Sequence, residues 1–269
     1  MRRGVVFACG GIVGYAWSLL AAHRYEQMTG VDLRRAEILM GTSAGSILAT
    51  ELAAGLSTGE LIAQLEATQR AGASAPRSSL PPRPRLRWSS LPLVAAGLRG
   101  KVAPHVALFG LVPDGGGDSA MLSRAVDRIV PAGRWVASEH PACLVVAVAA
   151  SCAIPGWCAP VEIGGRRYLD GGLASPTSLD LLAGDHLDEV VVFSPMTSAR
   201  PAPAGSLPER FERGMRRLMT KTLDREVARV AATGTRVVRF EPTAHELHLM
   251  GPNFMDSRRR AQLLDAWQA

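Results

Sequence analysis

Four short runs of nearly uninterrupted apolar residues punctuate the chain, at 4–8 (GVVFA), 36–40 (AEILM), 143–150 (CLVVAVAA) and 189–194 (EVVVFS). Runs this short, with little polar alternation, read as strands buried on both faces, as in a parallel sheet. A fifth strand is expected at 236–240 and a short hairpin at 161–168, turning at Gly164-Gly165. Between the strands the apolar spacing lengthens to that of helices: 15–28, the stretch after GTSAG to about residue 54, 58–70 from a Ser/Thr cap, 118–130, and 207–232. For the last of these the pattern predicts one apolar side made of Phe211, Met215, Leu218, Leu223, Val227 and Val230. The opening order, strand, glycine loop, helix, strand, helix, predicts an α/β fold: a three-layer α/β/α sandwich on a mostly parallel central sheet.

The 269 residues are expected to form a single domain over 1–269, with a Pro/Arg-rich insertion or flap at about 73–117. Its sequence SAPRSSLPPRPRLRWSSLP excludes regular helix and reads as an exposed connection. Hydrophobic residues at 47% and charged residues at 20% describe a folded chain rather than a disordered one. Thirty Lys+Arg against 24 Asp+Glu give a net charge of +6, which favours anionic partners. With three Tyr, six Phe and no basic strip interleaved with aromatics, nucleic acid is not expected among them. The basic flap carrying Trp88 is instead a candidate for peripheral contact with an anionic membrane surface.

Cys9, Cys143, Cys152 and Cys158 show no C-x-x-C spacing and read as buried reduced thiols, which suits a cytoplasmic protein. Met1-Arg2-Arg3 and the apolar stretch behind it imitate a signal peptide, but Gly10, Gly11 and Gly14 interrupt that stretch, and a turn leading into a helix accounts for them better. Nowhere do about 20 apolar residues run together, so membrane contact is expected to be peripheral.

Candidate chemistry gathers at three places. Gly41-Thr42-Ser43-Ala44-Gly45 is a G-x-S-x-G pentapeptide between a predicted strand and a predicted helix, the context in which a tight turn exposes a nucleophilic serine. The pentapeptide alone is a weak signal, and its placement strengthens it. Cys9-Gly10-Gly11-Ile12-Val13-Gly14 supplies backbone N–H groups at a glycine turn, suited to a developing oxyanion. Its G-G-x-x-G spacing differs from the dinucleotide fingerprint G-x-G-x-x-G. Asp170, followed by Gly171 and Gly172, is the candidate base, although an ordinary Asp-Gly turn would look the same.

In this order the three segments, together with AASCAIPGWCAPVEIGGRRYLDGG at 149–172, resemble the motifs of patatin-like phospholipases. The resemblance spans about two thirds of the chain and is strongest at residues 4–56 and 143–176. It implies a serine acyl hydrolase of lipid esters in which Asp170 takes the Ser43 proton, Ser43 attacks the carbonyl, and water releases the acyl group. No metal or organic cofactor is called for. Two positions depart from the family: Cys9 stands where its first loop glycine usually is, and Val13 where many members carry Arg or Lys. An aspartate with its ordinary pKa is a feeble base at neutral pH, so a partly desolvated Asp170 with a raised pKa is expected.

Two other readings remain open on the sequence. One is a Ser-Asp-His hydrolase using Asp170 or Asp188 with His245 or His248, although only about 40 residues precede Ser43 where that fold needs several strands. The other is a lipid-binding protein that keeps the pocket without turnover. The HELH at 245–248 is not H-E-x-x-H, and no metal is expected there.

Overall fold

A computed structural model describes residues 1–70, 90–101, 106–107, 111–112, 143–145, 148–156, 158–200, 203 and 205–268. Strands β1 (Arg3–Phe7), β2 (Ile38–Gly41), β3 (Cys143–Val145), β6 (Glu189–Phe193) and β7 (Arg236–Phe240) form one sheet in the order β3-β2-β1-β6-β7. Every pairing in it is parallel. The hairpin β4 (Val161–Ile163) and β5 (Arg166–Tyr168) stands apart as an antiparallel pair.

The apolar runs have no polar alternation because both faces of the sheet are covered. Val5, Phe7, Leu39, Val191 and Phe193 pack on one side with Val13, Trp17 and Leu19 of α1 (Gly11–Thr29) and Leu48 and Leu52 of α2 (Ala44–Ala53). Helices α3 (Thr58–Arg70) and α8 (Ser257–Gln268) close that layer against α1, which is buried around most of its circumference. On the other face Val6, Met40, Val190 and Val192 meet Leu179 and Leu182 of a 3-10 segment (Leu179–Gly184) and Leu223 and Val230 of α6 (Leu207–Ala231). The result is the expected α/β/α sandwich. Short helices α4 (Pro92–Leu98), α5 (Val148–Ser151) and α7 (Ala244–Met250) complete the described elements. Among the described residues no helix is long and apolar enough to cross a membrane.

Three expectations are corrected. Helix α1 begins at Gly11 rather than residue 15, so the second half of the glycine loop is its first turn. Within the run at 143–150, Cys143–Val145 is strand, but the helix Val148–Ser151 begins inside it. The expected apolar side of α6 holds only in its second half, where Leu223 and Val230 are buried and Val227 packs beside them; in the first half Phe211 and Leu218 point to solvent, and the covered positions include Glu212, Arg216 and Glu226. The helix expected at 118–130, and residues 71–89 of the flap with Trp88, lie outside the described residues.

Phe193 sits at the centre of the core, stacked on Phe7 at 5.3 Å and Phe240 at 5.1 Å, with Tyr25 edge-on at 6.1 Å. Phe193→Ala removes a fully buried ring from this stack, and about 3–5 kcal/mol of stability is expected to go with it. Urea unfolding followed by circular dichroism measures the loss; a change below about 1 kcal/mol would contradict the packing described.

Candidate active site

β2 ends at Gly41 and α2 begins at Ala44, so Thr42 and Ser43 alone turn the chain. Ser43 takes up the strain, at φ 54° and ψ −126°. A non-glycine residue there costs on the order of 1–3 kcal/mol and persists only where the surroundings dictate it. Those surroundings are two backbone contacts. A Cβ on Gly45 would overlap the Phe7 carbonyl at the end of β1, and one on Gly41 would overlap the Gly45 carbonyl. The G-x-S-x-G glycines are therefore steric requirements of a turn pressed against the neighbouring strand. Hydrogen bonds fix it further: Thr42 N–H donates to the Phe7 carbonyl at 3.0 Å, and the Ser43 carbonyl accepts from Ser46 N–H at 2.9 Å and Ser46 Oγ at 2.5 Å. Ser43 N–H donates to Ser151 Oγ at 2.8 Å, which ties the elbow to α5.

Asp170 follows β5 and caps a 3-10 turn (Gly171–Leu173), its carboxylate accepting from Gly172 N–H at 2.8 Å. Its own N–H donates to the Ala153 carbonyl at 3.1 Å, just beyond α5. The side chain is 7% exposed. Burial pushes its pKa from 3.8 up to about 6, against the pull of hydrogen bonds from the Ser43 hydroxyl and the Gly172 N–H. Serine and aspartate, 127 residues apart in the chain, thus meet at one point. Among the described residues no histidine acts on Asp170.

Two thiols border the pair. Cys152 lies within hydrogen-bonding reach of the Ser46 and Ser43 hydroxyls, which favour its thiolate, but burial followed by the Asp170 charge outweighs them and raises its pKa to about 12, which keeps it protonated. Cys9 is buried beside the Asp-Gly-Gly turn, where a Cβ on Gly172 would lie 3.0 Å from its Sγ; burial, then Asp170, raises its pKa as well.

Parallel pairing of Phe7 with Gly41 sets the glycine loop beside the elbow. Among the described residues the N–H groups of Gly10, Gly11 and Ile12 have no hydrogen-bond partner, and they stand at the cap and first turn of α1, where the helix dipole favours negative charge. The N–H of Val13 is occupied, donating to the Phe254 carbonyl at 3.1 Å, and Gly14 N–H donates to the Gly10 carbonyl at 2.8 Å. Gly11 has φ 59°, and a Cβ there would lie 2.7 Å from the Phe254 carbonyl. The Val13 side chain is fully buried in the core, so the position where many patatin-like proteins carry a cation contributes packing here. One turn further in, Tyr15 Oη donates to Glu51 at 2.5 Å and joins α1 to α2.

The rival histidines are elsewhere. His245 and His248 lie exposed on α7, and Asp188 accepts from Arg2 N–H at 2.5 Å at the amino end of the sheet, opposite Ser43. Among the described residues no group of acidic, histidine and cysteine side chains is arranged to hold a metal. Sequence reasoning missed Ser151, and read Cys152 as a buried thiol, which it is, without placing it beside the serine. Both lie inside the string that carries the resemblance, but a helical turn there was masked by the apolar run before it.

A family model described as Patatin-like phospholipase matches residues 139–183, the stretch that holds Ser151, Cys152 and Asp170-Gly171-Gly172. The resemblance seen in three ordered motifs is thus met at the third of them by a family of lipid acyl hydrolases. No curated protein matches the chain.

Because the folded protein holds the Asp170 proton more tightly than the unfolded chain does, this carboxyl opposes folding increasingly as pH rises from about 4 to about 6, and the full cost persists above that. Asp170→Asn removes a cost of up to about 3 kcal/mol. The variant is expected to melt above the native protein at pH 8, with the difference shrinking towards pH 4. Thermal unfolding across that range checks this, and a variant less stable than native at pH 8 would refute it.

Proposed function

We propose that the protein is a serine acyl hydrolase that cleaves carboxylic esters of lipids, of the lipase, phospholipase A or lysophospholipase kind, with Ser43 as nucleophile and Asp170 as base. The observation that carries this reading is the union of a strained, hydrogen-bonded serine elbow with a buried carboxyl whose pKa is raised to about 6. Such a carboxyl is ionised at neutral pH yet basic enough to accept a proton as the Ser43 oxygen attacks. Gly10, Gly11 and Ile12 would donate their N–H groups to the oxyanion that forms. Asp170 then returns the proton to the leaving alcohol. Water, deprotonated by Asp170 in a second round, releases the fatty acid and restores the serine. The resemblance to patatin-like phospholipases supports a lipid as the acyl donor.

The test uses p-nitrophenyl esters of graded chain length. Native protein is expected to hydrolyse them with kcat/KM rising about tenfold per pH unit below pH 6 and levelling above it. Ser43→Ala and Asp170→Asn are each expected to reduce kcat by more than about a thousandfold while the fold is retained. Persistent activity in Asp170→Asn would move the base elsewhere, and no hydrolysis by the native protein would favour a lipid-binding role.

A further inference from the structure

The first half of α6 carries a surface that the fold leaves unpaired. Leu207, Phe211 and Leu218 are 77%, 74% and 66% exposed. At about 100° per residue they fall within about 40° of arc around the helix. Arg210, Arg217 and Lys221, all exposed, occupy the adjoining arc on one flank, and exposed Arg225 continues the apolar line. Of the acidic residues of the helix, Glu212 and Glu226 are buried, Glu209 caps it against Gly205 and Ser206, and Asp224, which borders the cationic flank, is paired with Arg239 at 2.6 Å. Among the described residues the four cations make no ion pair, whereas Arg213, Arg216 and Arg229 on the same helix do.

Position matters as much as composition. β6 and β7 are parallel neighbours, so α6 must carry the chain back from the carboxyl edge of the sheet to the amino edge. Arg216 marks where the helix passes that edge, donating to the carbonyls of Pro195 at 2.5 Å and Thr197 at 3.0 Å just after β6. The nine residues before it in the helix therefore reach about 13 Å beyond the strand ends. Ser43 sits at that same edge, at the carboxyl end of β2.

We infer that this face of α6 docks the protein on an anionic lipid surface, with Leu207, Phe211 and Leu218 entering the acyl boundary and Arg210, Arg217, Lys221 and Arg225 meeting the headgroups. An apolar ridge flanked by cations is the composition of a helix that lies in the membrane interface. A second copy of the chain is disfavoured as occupant, because pairing this face with itself would bring like charges together. The inference rests on the reading of the protein as a lipid hydrolase for its purpose, and not for the binding itself.

Sedimentation of the full chain with sucrose-loaded vesicles at physiological salt tests it, using phosphatidylcholine alone and a 7:3 mixture with phosphatidylglycerol. Native protein is expected to sediment with the mixed vesicles and not with the neutral ones. With each cation near the surface worth about fivefold in affinity, Arg210→Gln/Arg217→Gln/Lys221→Gln together should weaken binding about a hundredfold. Phe211→Ala/Leu218→Ala should weaken it about tenfold or more. Both variants should keep native circular dichroism and the native rate on a soluble short-chain ester. Native protein that ignores anionic vesicles, or variants that bind as native does, would overturn the inference, as would a native dimer that Phe211→Ala/Leu218→Ala dissociates. If vesicle binding follows the expected pattern while native protein hydrolyses no ester, the docking surface stands and the hydrolase reading falls.

Discussion

Where α2 leaves the sheet, the backbone of Gly45 lies directly against the Phe7 carbonyl of the neighbouring strand, closer than any side chain would permit. That approach draws the first turn of α2 over the end of β1, and the two residues left between β2 and α2 place Ser43 at a positive φ of 54°. With the elbow fixed there, the glycine loop that follows β1 becomes its neighbour. Two helix N-termini then open side by side at one edge of a parallel sheet, the usual place for a ligand in such folds.

The other half of the site is held from behind. α6 buries three charged side chains, Glu212, Arg216 and Glu226, and the last two bind loops at the site. Glu212 binds Arg216, whose remaining N–H groups hold the Pro195 and Thr197 carbonyls. Pro195 in turn packs on the glycine loop, where a Cβ on Gly10 would come within 2.7 Å of its ring. Glu226 accepts from the hydroxyls of Ser175 and Thr177 and from Leu179 N–H, pinning the chain that leaves Asp170-Gly171-Gly172. Pro176, inside that pinned stretch, accepts the Cys9 N–H at 2.9 Å. Buried charges of this sort add little net stability, but they do select one arrangement of the loops.

This brace explains where the sequence could be read and where it could not. Strands β1, β2 and β6 were legible because each is covered on both faces and therefore lacks polar alternation. Ser43 was legible because glycine is demanded on either side of it, and Asp170 because two glycines follow it. A pattern of apolar spacing, however, assumes that covered positions are apolar. On α6 they include Glu212, Arg216 and Glu226, so the stripe was drawn through Phe211 and Leu218, which face solvent. The run at 143–150 failed for another reason: a short apolar stretch has no periodicity that separates strand from helix, and α5 with Ser151 was absorbed into it. The role of Val13 as core, rather than as an oxyanion contact, depends on α1 beginning at Gly11 and not four residues later.

The central claim is that Ser43 is an activated nucleophile. Reaction of the intact protein with a fluorophosphonate, followed by peptide mapping in a mass spectrometer, tests it without assuming any substrate, because only an activated serine is phosphonylated. The account predicts one adduct, on Ser43, forming more slowly below pH 6 and lost in Ser43→Ala; an adduct on another residue, or none on the folded protein, would contradict it.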